Sequence, residues 1–286
     1  MYLLENSELR VCVKELGAEL HSIFVKKENR EILWTGKPEI WDGQSPLLFP
    51  VVGRLKDDKF TYGGKEYSMP MHGFAKSSVF TAVESSAEKL VMVLEDSKET
   101  AKIYPFRFLL RVTYALEGAK LSVKLEVLNK TDGEMYFSIG AHPGFLCGAG
   151  DSLVFDEVET LETYRLSEEE HLLKAPTEMF LKGENTAVLA EEMFATDAVL
   201  LKEPRSTGFT LVKKDGGKVR VELSKKIFWL GLWTMAGKKM EYVCIEPWFG
   251  ADDAPDVSGK LEEKPAICKL SKGESFSFGY TVTAEA

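Results

Sequence analysis

The stretch LSVKLEVL at residues 121–128 decides the class of fold. Apolar side chains stand at Leu121, Val123, Leu125 and Val127, and a polar residue follows each of the first three. Since successive side chains of a β-strand point to opposite faces of a sheet, this alternation predicts a strand with one buried face. Similar short runs recur throughout the chain with turn residues between them, so strands should dominate the fold.

Turn and helix signals complete this pattern. Residues 60–67, FTYGGKEY, predict a hairpin with a two-residue turn, because the central Gly-Gly pair supplies the positive φ that such turns need. Helical periodicity is scarce, and residues 97–103 and 186–193 are each expected to form a turn or two of helix. Because no linker is evident, we expect residues 1–286 to form a single all-β domain, an antiparallel sandwich or barrel with few short helices.

The composition restricts the partners and the location of the chain. Its net charge is −9 and it has no cluster of Lys and Arg, so we expect neither nucleic acid nor a membrane surface as a partner. Residues 1–6 do not resemble a signal peptide, and no apolar stretch is long enough to span a bilayer. The four cysteines are scattered without a C-x-x-C pair, which favours reduced thiols in the cytoplasm.

A histidine stands in a restricted backbone at residues 138–145, SIGAHPGF. Gly140 and Gly144 can adopt angles that other residues avoid, and Pro143 pushes the preceding residue toward extended geometry. We therefore expect His142 at the end of a strand with its ring held in one direction. An imidazole that titrates near neutral pH can act as an acid or a base. A half-buried turn histidine is the alternative interpretation.

Three further stretches combine apolar runs with polar side chains. Arg54 ends the run LLFPVVGR, where its guanidinium could hold a substrate oxygen or simply extend into water. His72 precedes a glycine in MPMHGFAK, where it could also be an ordinary turn histidine. Glu246 ends the apolar strand YVCIE, so desolvation should raise its pKa toward that of a useful base. A salt-bridged glutamate at a strand end is the alternative there.

These four stretches together resemble the aldose 1-epimerase (galactose mutarotase) family, and within it the LacX-like branch. They occur in one order, as GRL, MHGF, GAHPGF and CIEPW, and the resemblance extends nearly from end to end of the chain. Each motif alone is common, whereas four in this order on a strand-rich chain are fairly specific. The resemblance implies a large antiparallel β-sandwich with a sugar cleft on one face, and an isomerase that acts on a small sugar.

The resemblance also implies a role for each motif residue. Glu246 matches the catalytic base that takes the proton of the anomeric hydroxyl, and His142 matches the general acid that protonates the ring oxygen. His72 matches a second active-site histidine, and Arg54 matches the arginine that holds sugar hydroxyls. Asp197, in the stretch FATDAVL, is the best match for a substrate-binding aspartate of the family.

These residue types suit the opening and closing of a hemiacetal ring. A base takes the C1 hydroxyl proton while an acid protonates the ring oxygen, and the ring closes on its other face after C1 rotates. We expect the base and the acid on opposite sides of the sugar, and Trp248 against its C–H edge unless that ring belongs to the core. No metal or redox cofactor is expected. A metal site of His72, His142 and Glu246 is conceivable by ligand type, but lacks the spacing of a compact metal motif.

Two alternatives to a free-hexose mutarotase stay open. A hexose-6-phosphate mutarotase would need further cations in the site, for which Lys56 or Lys76 could serve. A catalytically idle carbohydrate-binding protein on the same fold would not need a matched acid and base. The preferred aldose, the oligomeric state and the role of the acidic loop at 251–260 do not follow from the sequence. His171, after three glutamates, is interpreted as part of a solvated turn.

Overall fold

The structure is a computed structural model that describes residues 1–285. The span predicted for the single domain, 1–286, ends one residue beyond this part, and the domain count stays a prediction. The first twelve strands in chain order are β1 (Tyr2–Glu5), β2 (Leu9–Val13), β3 (Leu20–Val25), β4 (Arg30–Glu31), β5 (Leu47–Leu48), β6 (Lys59–Tyr62), β7 (Lys65–Ser68), β8 (Thr81–Ser85), β9 (Lys89–Glu95), β10 (Phe108–Glu117), β11 (Lys120–Asn129) and β12 (Met135–Phe137).

The remaining strands carry most of the residues of interest. They are β13 (Ile139–Ala141), β14 (Gly144–Leu146), β15 (Ser152–Leu166), β16 (Leu173–Val188), β17 (Val199–Lys202), β18 (Gly208–Val212), β19 (Lys218–Leu223), β20 (Trp229–Trp233), β21 (Tyr242–Phe249), β22 (Cys268–Leu270) and β23 (Ser275–Glu285). Helical segments are short: α1 (Thr100–Ile103) and the 3-10 turns Lys56–Asp58, Ala75–Ser77, Glu191–Phe194 and Leu261–Glu263.

The strands of the described chain pair antiparallel in four sheets. The largest sheet follows the order β5-β13-β21-β20-β17-β15-β18-β19-β23-β11-β10-β9-β8, with β14 added to β21 and β16 added to β15. The smaller sheets are β1-β2-β3-β4, β6-β7 and β12-β22. This arrangement confirms the predicted all-β class and its antiparallel β-sandwich.

The strand predicted at residues 121–128 lies inside β11, between β10 and β23. Its four alternate apolar residues are at most 1% exposed and belong to the main hydrophobic core. The hairpin predicted at 60–67 is confirmed as β6 and β7, and its two glycines have φ of +55° and +75°. Alternation and turn chemistry therefore fixed these elements locally.

The helical prediction at 186–193 was wrong in its first half. Residues 186–188 extend β16, and only the last part of the segment turns into the 3-10 helix Glu191–Phe194. Ala187 pairs with Leu153 of β15, and both side chains are buried there. Strand pairing thus buries apolar surface that one turn of helix would leave in water. The helix predicted at 97–103 is confirmed for its second half, as α1.

The sandwich also has a smaller apolar cluster beside the main core. It surrounds Trp248 and includes Leu48, Val52, Ala198 and Trp229. This cluster supports the wall of the cavity described below. Within residues 1–285, no helix has the length and apolar character needed to cross a bilayer.

Candidate active site

The middle of β21 faces a break between two short strands. On one side β21 pairs with β20 along its length, and on the other it pairs with β14 up to Cys244 and with β13 from Trp248 onward. The connection between β13 and β14 consists of His142 and Pro143, and it lies opposite the unpaired part of β21. The carbonyl of Pro143 accepts a hydrogen bond from the amide of Ile245 at 3.1 Å. Sheet topology therefore brings His142 beside Glu246.

Two local expectations need correction here. The predicted strand ended at Glu246, whereas β21 continues to Phe249, because Pro247 and Trp248 pair with β20. The glycines that flank His142 do not have positive φ. A Cβ on Gly140 would lie 2.9 Å from Cδ1 of Trp248, so this glycine provides space for an aromatic ring rather than an unusual backbone angle. His142 itself directly follows β13, as expected.

Glu246 and His142 form a buried acid–base pair. Oε2 of Glu246 lies 3.2 Å from Nε2 of His142, and the two residues are 1% and 9% exposed. Neither Glu246 Oε2 nor His142 Nδ1 has a hydrogen-bond partner among residues 1–285. The sequence led us to expect the two groups on opposite sides of a sugar, whereas the connection between β13 and β14 sets His142 directly beside Glu246 of β21. Two groups at this distance can act together on two oxygens that are bonded to the same carbon.

Burial shifts the pKa values of the pair in opposite directions. It raises the pKa of Glu246 well above 4.5, although the indole N–H of Trp248 partly opposes this rise. It lowers the pKa of His142 to about 3, since the imidazolium is desolvated. Desolvation disfavours the charged form of each group, so the pair is most stable when both are neutral. A carboxylate at this place is a stronger base, and an imidazolium a stronger acid, than in water.

His72 is held by the loop that precedes Arg54. Its Nδ1 accepts a hydrogen bond from the amide of Gly53 at 3.0 Å, so the ring proton of the neutral imidazole is on Nε2. His72 has φ of +65°, and the following Gly73 has φ of +72° with a Cβ position 2.3 Å from the carbonyl oxygen of Phe49. Gly73 therefore cannot be replaced without moving this loop. The ring of His72 lies 5.8 Å from that of His142, edge to face.

A cavity of about 330 Å³ opens in front of these residues. Aromatic rings surround His142, since Trp41 and Trp233 have ring centroids 5.1 and 5.6 Å from it. The remaining polar lining residues are His72, Lys76, Asp197, Glu246 and Asp252. Met71, which is 38% exposed, lines the mouth. The cavity is at the small end of the usual range for small-molecule sites and combines ring faces with a few polar groups.

The predicted substrate-binding residues occupy different places around this cavity. Asp197 and Trp248 line it, and Trp248 is 4% exposed. Arg54 is not part of the lining: its Nη1 donates to Asp58 at 2.8 Å, and its Nη2 lies 3.9 Å from Sδ of Met71. The structure therefore brings Glu246, His142, His72, Asp197 and Trp248 together around one cavity. Arg54, which the sequence led us to expect against the substrate, lies outside this lining because its guanidinium is turned toward Asp58 and Met71.

The acidic loop at 251–260 contributes to the site at its start. Asp252 lines the cavity, and its Oδ1 accepts a hydrogen bond from the amide of Arg54 at 2.6 Å. Burial raises the pKa of Asp252 to about 6. Asp253 forms a buried ion pair with Lys264 at 2.5 Å. The loop thus fixes the backbone of the arginine loop rather than lying free in solvent.

The residues that could together hold a metal ion are not the three considered from the sequence, because Cys244 takes the place of His72. The ligand atoms of His142, Cys244 and Glu246 lie within 4.8 Å of one another. Cys244 and Glu246 share one face of β21 because they are two residues apart. Burial raises the pKa of the Cys244 thiol well above 9.0, which disfavours the thiolate that metals bind. The geometry therefore serves proton transfer better than metal ligation.

Several lining residues carry no local signal in the sequence. Trp41 lies in an irregular segment before β5, and Trp233 ends β20, so no local pattern places either ring beside the cavity. Asp252 could be suspected because it closely follows the motif that contains Glu246. The period-two rule would have placed Cys244 and Trp248 on the face of Glu246.

The fold and this site define a member of the aldose 1-epimerase family. The sequence model of that family, described as aldose 1-epimerase, matches residues 1–283, and the chain belongs to this family. The chain is 31% identical to the plasmid-encoded protein LacX of Lactococcus lactis subsp. lactis, over 98% of both chains.

Solved structures agree with this assignment. A galactose mutarotase related enzyme from Lactobacillus acidophilus is 32% identical with a TM-score of 0.94, over 100% of this chain and 97% of that chain. A galactose mutarotase-like protein from Lactobacillus casei ATCC 334 is 27% identical with a TM-score of 0.92, over all of both chains. The similarity therefore extends over the whole sandwich and includes the strands that carry the cavity.

Proposed function

We propose that this chain is an aldose 1-epimerase that interconverts the α and β anomers of a free hexose. The observation that carries the proposal is the buried pair of Glu246 and His142, 3.2 Å apart at the base of a cavity lined by aromatic rings. A pair of this kind, with pKa values moved in opposite directions, is typical of acid–base catalysis.

The reaction consists of two proton transfers at one carbon. The carboxylate of Glu246 takes the proton of the C1 hydroxyl, the bond between C1 and the ring oxygen breaks, and the imidazolium of His142 protonates that oxygen. After C1 rotates about its bond to C2, the same transfers run in reverse and the ring closes on the other face. Each transfer turns a charged protein group into a neutral one, which the buried site favours. Positioned groups of this kind contribute roughly 10²–10⁴-fold to a rate.

The other lining residues bind and orient the sugar in this proposal. Nε2–H of His72 donates to a substrate oxygen, because Nδ1 is engaged by Gly53. Asp197 accepts from a sugar hydroxyl, and Trp248 offers an apolar face to its C–H edge. Arg54 reaches the sugar only if its guanidinium leaves Asp58; in the present geometry it supports the mouth of the cavity through Met71.

Polarimetry with freshly dissolved anomers tests the proposal. We expect the decay of optical rotation of α-glucose or α-galactose to accelerate in proportion to protein concentration, after subtraction of the buffer rate. Saturable binding of a hexose with the rate of buffer alone would contradict the enzymatic proposal and favour the catalytically idle sugar-binding protein.

The pH profile follows from the proton count of the pair. Catalysis needs one proton shared by Glu246 and His142. A second proton enters as the pH falls toward the His142 pKa of about 3, and the only proton leaves as the pH rises through the raised pKa of Glu246. We expect a plateau of kcat/KM between these limits, measured where circular dichroism shows a folded protein. An acid-side fall centred on the ordinary histidine pKa would contradict this account.

One observation favours a sugar phosphate as a second candidate substrate. Lys76 lines the cavity, and burial together with the charge of Arg54 lowers its pKa. Among the described residues, Lys76 has no ion pair with a carboxylate. A half-buried cation without a counterion in an acidic protein suits an anionic group on the ligand. Lys56, in contrast, donates to the carbonyl of Pro255 outside the cavity.

The variant Lys76→Gln separates the two substrates. We expect it to lower kcat/KM on glucose 6-phosphate about tenfold, because it removes a charge-assisted hydrogen bond, and to change kcat/KM on glucose much less. Lys56→Gln is the matched control and should change neither value. Equal losses on both substrates, measured by coupled or polarimetric assays, would remove Lys76 from phosphate recognition.

We also propose that the protein works in the cytoplasm. Its four cysteines are free thiols in the structure, which supports a reducing compartment. Cell fractionation with an antibody to the chain tests this location.

A further inference from the structure

The connection between β15 and β16 reaches the cavity, although its sequence has the character of a solvated acidic turn. We call residues 167–172 the hairpin tip. Leu166, just before the tip, lines the cavity, and the amide of Leu173, just after it, donates to the carbonyl of Asp253 at 2.8 Å. Leu172 is only 2% exposed. The hairpin tip is therefore docked on the site.

His171 makes the contact that concerns the chemistry. Its Nδ1 lies 3.6 Å from Oδ2 of Asp197, and Asp197 lines the cavity. The other carboxylate oxygen, Oδ1, accepts a hydrogen bond from the amide of Ala198 at 2.8 Å. The carboxylate thus has a backbone amide hydrogen-bonded to one oxygen and faces the imidazole, just beyond hydrogen-bond distance, with the other.

Backbone geometry, rather than burial, aims this imidazole. The side chain of His171 is 49% exposed, and its φ is +52°. Such left-handed angles are tolerated best by Gly, Asn, Asp and His among the amino acids. The amide of His171 donates to the carbonyl of Ser167 at 3.0 Å, and the hydroxyl of Ser167 accepts from the amide of Leu172 at 3.0 Å. The hydrogen bonds of the tip therefore fix the backbone from which the ring projects.

We propose that His171 is a positioning residue for Asp197, and that it holds this carboxylate in the orientation that accepts a hydrogen bond from a sugar hydroxyl. The inference rests on the proposed function, in which Asp197 binds the sugar. His171 does not line the cavity, so its removal should weaken substrate binding more than the chemical step.

Two substitutions separate the contact from the backbone. His171→Gly keeps the left-handed angle and removes the donor, whereas His171→Asn keeps both the angle and a donor at the place of Nδ1. We expect His171→Gly to raise KM about threefold to fivefold with kcat nearly unchanged, as for the loss of a half-exposed polar contact. We expect His171→Asn to restore most of the wild-type KM. Glu169→Gln, on the same tip without a contact to Asp197, is the control and should match the wild type.

Two kinetic results would overturn the inference. A His171→Gly protein with the wild-type KM would show that the contact does not matter. A His171→Asn protein as impaired as His171→Gly would show that the donor is not what holds Asp197.

A second readout works without any enzymatic activity. We expect the imidazole ¹H–¹³C NMR signal of His171, assigned through its loss in His171→Asn, to move in Asp197→Asn. It should stay in place in Glu178→Gln, a change on β16 that removes an ion pair with Arg165. A signal that ignores Asp197→Asn would overturn the positioning role. If the signal moves but the protein has no anomerase activity, the contact between His171 and Asp197 would be supported and only the proposed enzymatic function would be contradicted.

Discussion

Glu246→Gln is expected to lower the rate of anomer interconversion by roughly 10²–10⁴-fold, with KM changed much less. Glutamine keeps the size of the side chain and its place on β21 but cannot take a proton from the C1 hydroxyl. The loss should appear in kcat because the group acts on the transition state rather than on ground-state binding. Polarimetry and the binding of hexose by calorimetry measure the two quantities separately.

The same substitution should stabilise the protein in alkaline solution. Burial raises the pKa of Glu246 in the folded protein above its value in the unfolded chain, so the fold favours the neutral acid. The stability that this preference contributes is fully present below the unfolded-state pKa of Glu246 and is lost as the pH rises through the folded-state pKa. Glutamine does not ionise, so the difference in Tm between Glu246→Gln and the wild type should grow with pH. Functional groups often reduce stability in this way.

Glu159→Gln is the matched control for Glu246→Gln. Glu159 is also 1% exposed, but its Oε1 accepts hydrogen bonds from the amide and hydroxyl of Ser206, both at 2.7 Å, outside the cavity. We expect this control to lose stability and keep its specific activity. A Glu246→Gln protein with more than a tenth of the wild-type kcat would contradict the assignment of the base.

His142→Gln is expected to have the second large effect, again a loss of roughly 10²–10⁴-fold in kcat. The Nε2 of glutamine can occupy the place of the histidine Nε2 near Glu246, but an amide cannot deliver a proton to the ring oxygen. His21→Gln is the control, because His21 lies on β3 and contacts the side chain of Gln44 away from the cavity.

The double variant tests whether the two groups act as one unit. Glu246→Gln with His142→Gln should be scarcely slower than either single variant, because each proton transfer is useless without the other. Losses that multiply in the double variant would show that the two residues act independently and would contradict the paired mechanism.

The sequence predicted the fold where the pattern is local. Leu121 and its alternate neighbours read as one face of a strand, and the Gly-Gly pair of the 60–67 hairpin defines its turn. The pair β15 and β16 escaped prediction although these are the longest strands, because several register shifts interrupt their alternation and most of β16 is exposed. A strand that buries little apolar surface leaves little periodicity to detect.

From the sequence, the candidate site could be recognised only where a proline or glycine next to a histidine restricts the backbone. His142 beside Pro143 and His72 beside Gly73 stand in motifs whose small and rigid residues are required by close packing. The position of His171 could not be predicted, because its contact with Asp197 joins a hairpin tip to a loop after a 3-10 turn. The sequence around His171 indicates only that this segment is acidic and exposed to solvent.

The most direct test of the central claim is exchange NMR on an equilibrium mixture of glucose anomers with the purified chain. The account predicts magnetisation transfer between the α and β anomeric protons at a rate proportional to the wild-type protein, and a rate near that of buffer with Glu246→Gln. Transfer that is equal with both proteins, or that is absent while the wild type binds the sugar, would contradict proton transfer by the buried carboxylate and imidazole.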